Sequence, residues 1–209
     1  MRIKLLLSVI SLLFLLPSCQ QTENEDKSLP ILGRREVVDN DTIYHQIADF
    51  AFVDQDSAMV TEATFEDKIY VADFFFTSCP TICPIMKTQM LRVYEVFEND
   101  PAVAFLSHSI DPEHDTVAVL KEFSDRLGVE SDKWHFVTGK KADIFKQGQT
   151  SYMVTAMEDA SEPGGFIHSG AFILVDKDRH IRGVYDGTKE DQVDKLIEDI
   201  RVLKNEYKG

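Results

Sequence analysis

Apolar positions along the chain fall into blocks whose spacing alternates between strand and helix. Lys68–Thr77 (KIYVADFFFT) is nearly continuous apolar, broken inside only by Asp73. Such a run predicts a central strand buried on both faces. Pro84 then opens a helix, at a first-turn position that can spare its N–H. Met86, Met90, Val93 and Phe97 share one face of that helix. Ala102–Ile110 is the next predicted strand. Asp115 is expected to cap a helix carrying Val117, Leu120, Phe123 and Leu127, with Gly128 ending it. Trp134–Val137 reads as a short strand. Ala171–Val175 and His180–Tyr185 predict a hairpin around Asp176-Lys177-Asp178. Val193, Leu196, Ile197, Ile200 and Leu203 predict a last helix over Glu190–Lys204. Upstream, Tyr44–Val60 reads as a hairpin turning at Asp54-Gln55-Asp56, followed by a short helix over Glu62–Asp67. No internal repeat is visible. The alternation predicts one α/β domain, a mixed β-sheet flanked by helices.

The N-terminus follows a different pattern. Met1–Ser18 has a basic start, Arg2 and Lys4, and an apolar run over Leu5–Leu16. That is the length of a signal peptide and short for a permanent span. Leu16-Pro17-Ser18-Cys19 resembles the lipobox of bacterial lipoproteins, with Cys19 the lipidated residue. An ordinary secretory signal with an incidental Cys19 is the alternative. Gln20–Leu29 is polar and lacks an apolar period, as a flexible tether does. The expected division is a signal over 1–18, a lipidated start and tether over 19–43, and a folded domain over 44–209. Acyl chains on Cys19 would hold the protein at a membrane surface of the bacterial cell envelope, facing the periplasm or the exterior.

Charge narrows the function. Acidic residues number 36 against 22 Lys and Arg, for a net charge of −14. A chain so acidic lacks the basic footprint that nucleic acid requires. Its three cysteines are too few for a disulfide-stapled miniprotein. The cysteines therefore point to chemistry.

Two of them lie in Cys79-Pro80-Thr81-Ile82-Cys83-Pro84, between the buried strand and the helix. A helix N-terminus favours thiolate, because its N–H groups and macrodipole stabilise negative charge. Spacing of i and i+4 puts both sulfurs on one face of a helical turn. Such a pair can close into a disulfide or ligate a soft ion such as Cu(I), zinc or an iron–sulfur centre. Two sulfurs are short of a closed zinc or cluster site, so a third ligand must come from elsewhere. A structural disulfide, or two buried thiols, is the alternative, although so small a loop gains little from closure.

TSCPTICP after a hydrophobic strand, SIDPEHDT at Ser109–Thr116, WHFVTG at Trp134–Gly139 and HSGAFILVD at His168–Asp176 together resemble the SCO/SenC family. The resemblance covers about Phe50–Leu203, with the motifs in order. It implies a thioredoxin-like fold and copper binding in the assembly of the dinuclear copper site of cytochrome c oxidase. It also implies copper ligands at Cys79, Cys83 and His168. The chain departs from the family at Thr81-Ile82, where Asp-Val is usual. Ser78 and Phe75 stand where His and Gly are frequent.

Asp73 stands six residues before Cys79, the offset at which thioredoxins carry a buried Asp that assists proton transfer. It is a candidate proton acceptor; a hydrogen-bonded structural carboxylate is the alternative. Where thioredoxin-type reductases have a cis-proline facing the dithiol, the matching segment here is Ile167-His168-Ser169-Gly170. A histidine there suits metal ligation better than disulfide exchange. Of six histidines, His45, His114 and His180 read as solvent-facing, His135 as packing and His108 as the rival to His168 as third ligand. Met86 and Met90 read as core, Met153 and Met157 as loop residues able to line the site. Phe74, Phe75 and Phe76 read as a buried strand and secondarily as a wall of the site. Asp111 and Asp115 read as structural.

No nucleophile elbow, phosphate loop or HExxH motif is present. The expectation is a membrane-anchored copper chaperone, not an enzyme, that holds Cu(I) on Cys79, Cys83 and His168. It would pass copper to cytochrome c oxidase subunit II or another envelope cuproprotein. The alternative is a thiol–disulfide oxidoreductase in which Cys79 attacks and Cys83 resolves, keeping a partner's cysteines reduced. A redox or copper sensor is the third.

Overall fold

The computed structural model describes residues 28–159, 161 and 165–208, with Ile167 and His168 described in backbone only. In chain order the elements are strands β1 (Arg35–Val38), β2 (Asp41–Tyr44), β3 (Ala51–Asp54), β4 (Met59–Thr61) and β5 (Ile69–Phe75), then helix α1 (Ile82–Phe97). They continue with β6 (Val103–Ser109), α2 (Val117–Leu127), β7 (Trp134–Thr138) and α3 (Lys141–Lys146). The chain closes with β8 (Ala156–Glu158), β9 (Phe166–His168), β10 (Ala171–Val175), β11 (Ile181–Asp186) and α4 (Glu190–Glu206). Seven strands form the main sheet in the order β11-β10-β5-β6-β7-β3-β4. β5, β6 and β7 run parallel and their neighbours antiparallel. Every residue of β5, β6 and β7 is buried, as expected of central strands covered on both faces, including the polar Asp73, Ser107, His108, Ser109, His135 and Thr138.

Register sorts the side chains of the central strands. Asp73 pairs with Ser107 and Ser107 with Phe136; one step on, Phe74 pairs with His108 and His108 with Val137. The first row faces α1 and α2: Lys87 of α1 reaches Asp73, and Phe123 of α2 packs on Phe75 and Phe136. The second row faces the other side, where Phe50, Phe52 and Tyr152 surround His108. Met86 and Met90 are fully buried core residues, as their spacing predicts.

Three details differ from expectation. The folded part starts well before residue 44. Leu29 is buried, its N–H donates to Glu206, Arg182 donates to the carbonyls of Leu29 and Pro30, and β1–β2 form a hairpin of their own. A segment of this kind has no apolar period to announce it; hydrogen bonds to Arg182 of β11 and Glu206 of α4 hold it in place. The N-cap of α2 is Thr116, whose hydroxyl accepts from Val119, and not Asp115. After α3 the chain makes a π-helical turn over Gln147–Ser151 and the small hairpin β8–β9, neither of which the spacing predicts. Met1–Lys27, with the predicted signal and Cys19, lies outside the described residues.

Candidate metal centre

β5 delivers the chain to the site and α1 carries it away. Cys79 and Cys83 are both thiols, 7% and 4% exposed, at the mouth of the α1 N-terminus. The turn that presents them is closed by the Cys79 N–H on the Phe76 carbonyl at 3.3 Å. Pro84 sits in the first helical turn, so its missing N–H breaks no intrahelical bond.

The two sulfurs are not equivalent. Burial would raise the Cys79 thiol, but hydrogen bonds from the backbone of Thr81 and Cys83 and from both their side chains outweigh it and hold Cys79 below its ordinary value. The Thr81 hydroxyl lies 3.6 Å from Cys79 Sγ. Burial pushes Cys83 well up, and its coupling to Cys79 adds to that. Cys79 is thus the thiolate-prone member of a hydrogen-bonded pair. Two sulfurs this close, one of them easily ionised, suit a single soft ion.

The loop before the cysteines is clamped from an unexpected direction. The Asp115 carboxylate, fully buried, accepts from the Thr77 N–H at 3.0 Å, the Thr77 hydroxyl, the Ser109 hydroxyl at 2.6 Å and His114 Nδ1 at 3.0 Å. Asp115 is lost to the helix cap because it fastens the SIDPEHDT segment to the strand end two residues before Cys79. His114 is exposed, as expected, although its hydrogen bond to Asp115, together with that carboxylate's charge, holds its pKa up. Asp111 lies at the base of the same turn and is held above the usual carboxylate range by burial and by Asp115.

Beneath the cysteines lies a group the spacing did not single out. Lys87, 4% exposed, donates to Asp73 Oδ2 at 2.7 Å and to Ser107 Oγ at 3.0 Å. Ser107 also accepts from Trp134 Nε1 at 2.9 Å and donates to Asp73. Asp73 is therefore a fully buried, paired carboxylate. The available signal was a lysine one turn after Cys83 on the face of α1 that also carries buried Met86 and Met90. Lys87 lines a pocket of about 220 Å³ with Phe76, Cys79, Cys83, Leu91 and Phe123.

The predicted third ligand is reached through the backbone. β9 carries His168 opposite Ala156 of β8. Phe166, on the same strand, packs its ring 5.1 Å from that of Phe76. A Cβ built on Gly170 would stand 3.4 Å from Ile82 Cδ1, inside the CxxxC loop. Gly170 has φ of 64°, a conformation that suits glycine, and its carbonyl accepts from Gly187 N–H at 2.8 Å. The segment carrying His168 thus borders the cysteine loop. The rival, His108, does not: it is fully buried on the opposite sheet face, stacked on Phe74 at 4.7 Å. Neither of its ring nitrogens has a hydrogen-bond partner among the described residues. His135 packs as expected and bonds Asp54 at 3.0 Å, while His45 bonds the Ser151 carbonyl. His180 is only partly exposed, edge-on to Tyr44. Met153 and Met157 are exposed. Met153 touches Gly33, and Met157 pairs with Ile167, not His168. Among the described residues, one cluster, Asp176, Asp178 and His180, brings ligand atoms within 4.8 Å of one another. Its central carboxylate is already spent on the N–H groups of Asp178 and His180 and on Arg182, as the staple of the β10–β11 turn.

A central parallel trio with a dithiol at the junction of strand and helix, over a buried carboxylate, defines a thioredoxin-like dithiol protein. The family model SCO1/SenC matches residues 39–205, and the chain belongs to that family. A SCO1/SenC family lipoprotein from Bacillus anthracis is 28% identical, with a TM-score of 0.70 over 77% of this chain and 95% of that one. BsSco, described as having a disulfide switch and as a member of the Sco family of cytochrome c oxidase assembly proteins, is 28% identical, with a TM-score of 0.67 over 76% and 93%. ScoI from Arabidopsis thaliana, solved with copper bound, is 24% identical and shares the fold, with a TM-score of 0.63 over 76% and 98%.

Proposed function

We propose that the protein is an envelope copper chaperone that takes Cu(I) on Cys79, Cys83 and His168 and passes it on during cytochrome c oxidase assembly. The recipient is subunit II or a similar cuproprotein. The observation that carries this is a hydrogen-bonded dithiol bordered by the segment that bears His168. An open three-ligand site permits ligand exchange with a recipient, where a closed four-ligand site resists it. The copper-bound Arabidopsis relative and the oxidase-assembly role of the BsSco family support the reading. Lipidation of Cys19 would place the protein on the envelope membrane; the similar Bacillus anthracis protein is itself described as a lipoprotein. The test is competition against a Cu(I) chelator. Cys79→Ser and Cys83→Ser abolish tight binding and His168→Ala weakens it strongly; undiminished affinity in His168→Ala refutes the ligand set.

The unequal cysteines favour a second reading, a thiol–disulfide reductase with Cys79 as nucleophile, Cys83 as resolving thiol and Asp73 as proton acceptor. The two differ in a glutathione redox titration. Cu(I) makes the pair harder to oxidise in the chaperone, because a disulfide offers no thiolate to the metal. Coincident midpoints with and without Cu(I) favour the reductase.

A further inference from the structure

Lys87 follows Cys83 by one helical turn and is buried against the sheet. Its ammonium is held by Asp73 and Ser107 and lies 4.0 Å from the centre of the Phe75 ring. A buried ion pair is an expensive way to fill a core, since apolar residues of similar volume often serve as well or better. Its orientation is informative. Lys87 lines the pocket shared by Cys79 and Cys83, and Asp73 is not among the lining residues. The dithiol therefore faces the positive end of a fixed, buried dipole.

The consequence rests on the copper reading above. Two thiolates, a neutral imidazole and Cu(I) carry a net charge of −1; with Cu(II) the sum is zero. A positive end nearby stabilises the anionic complex over the neutral one, and does so strongly where the dielectric is low. We propose that Lys87, oriented by Asp73 and Ser107, is a specificity-determining residue that selects monovalent over divalent copper at this dithiol. The couple is bound Cu(II) plus one electron giving bound Cu(I), with the electron supplied by a mediator at an electrode and no sulfur bond made or broken.

The test is mediated redox titration of the copper-loaded full-length protein, with Cu(I) and Cu(II) affinities measured separately by competition. Lys87→Met raises Cu(II) affinity relative to Cu(I) about tenfold, a fall of ~59 mV in the one-electron potential. Asp73→Asn, which leaves the lysine charge uncompensated, shifts the potential upward. The double variant Asp73→Asn/Lys87→Met buries no charge, keeps the fold and falls with Lys87→Met. Lys87→Arg retains the wild-type preference. A general loosening of the site would move Asp73→Asn and Lys87→Met the same way, so shifts of one sign overturn the proposal. An unchanged potential in the double variant does too. If the wild type binds neither ion stoichiometrically, the copper reading itself falls, an outcome distinct from copper bound without a charge preference.

Discussion

His108→Phe should remove much of this protein's sensitivity to mild acid. In the native state the His108 ring is fully buried among Phe50, Phe52, Phe74 and Tyr152, and burial pushes its pKa down to about 3. In the unfolded chain it titrates near its ordinary value of 6.5. Protonation thus favours the unfolded state. The stability of the neutral ring is present above 6.5 and drains away as pH falls toward 3. At pH 5 the native ring is still neutral and the unfolded one almost wholly charged, a loss of about 2 kcal/mol relative to pH 7.5. The larger phenyl ring brings its own packing cost of about 1–3 kcal/mol, but that is the same at both pH values and cancels. The assay is urea unfolding of the reduced, metal-free protein at pH 7.5 and 5.0, wild type against His108→Phe. Wild type should lose about 2 kcal/mol more than the variant between the two. Equal losses would mean that the ring meets water or a proton donor, and the reasoning from its burial would fail.

Two further outcomes follow from the cysteine loop. With one cysteine left at a time, iodoacetamide at neutral pH should modify Cys79 in Cys83→Ser at least about tenfold faster than Cys83 in Cys79→Ser, since only the former is thiolate-prone; equal rates would remove the asymmetry. Asp115→Ala strands the Thr77 and Ser109 groups it satisfies and should cost about 2–4 kcal/mol in denaturant unfolding. A loss under about 0.5 kcal/mol, the range of an ordinary surface change, would show that the clamp is not needed.

Much of this architecture is legible in the chain. The apolar run of β5, the face of α1 and the β10–β11 hairpin announce themselves, because burial on one or both faces forces a period on the side chains. The junction at which Cys79 and Cys83 sit follows from the same pattern, but a shared helical turn does not: α1 starts at Ile82, so Cys83 is helical and Cys79 lies in the loop before it. The π turn after α3 and the β8–β9 hairpin do not follow, because short irregular pieces carry too few residues to show a period. Asp115 illustrates the limit well. Its position before a helix suits a cap by local rules, yet its carboxylate is drawn to Thr77, 38 residues back in the chain.

The sequence by itself determined where the buried strands lie and that a thiol pair stands at a helix start. Only the tertiary structure decided which groups meet there. It set Lys87 against Asp73 beneath the dithiol, put His108 on the far face of the sheet, and brought the His168 segment beside Ile82. The physical reason is that periodicity records which side of an element is buried. It holds no record of the partner, which arrives from another part of the chain through strand register and packing.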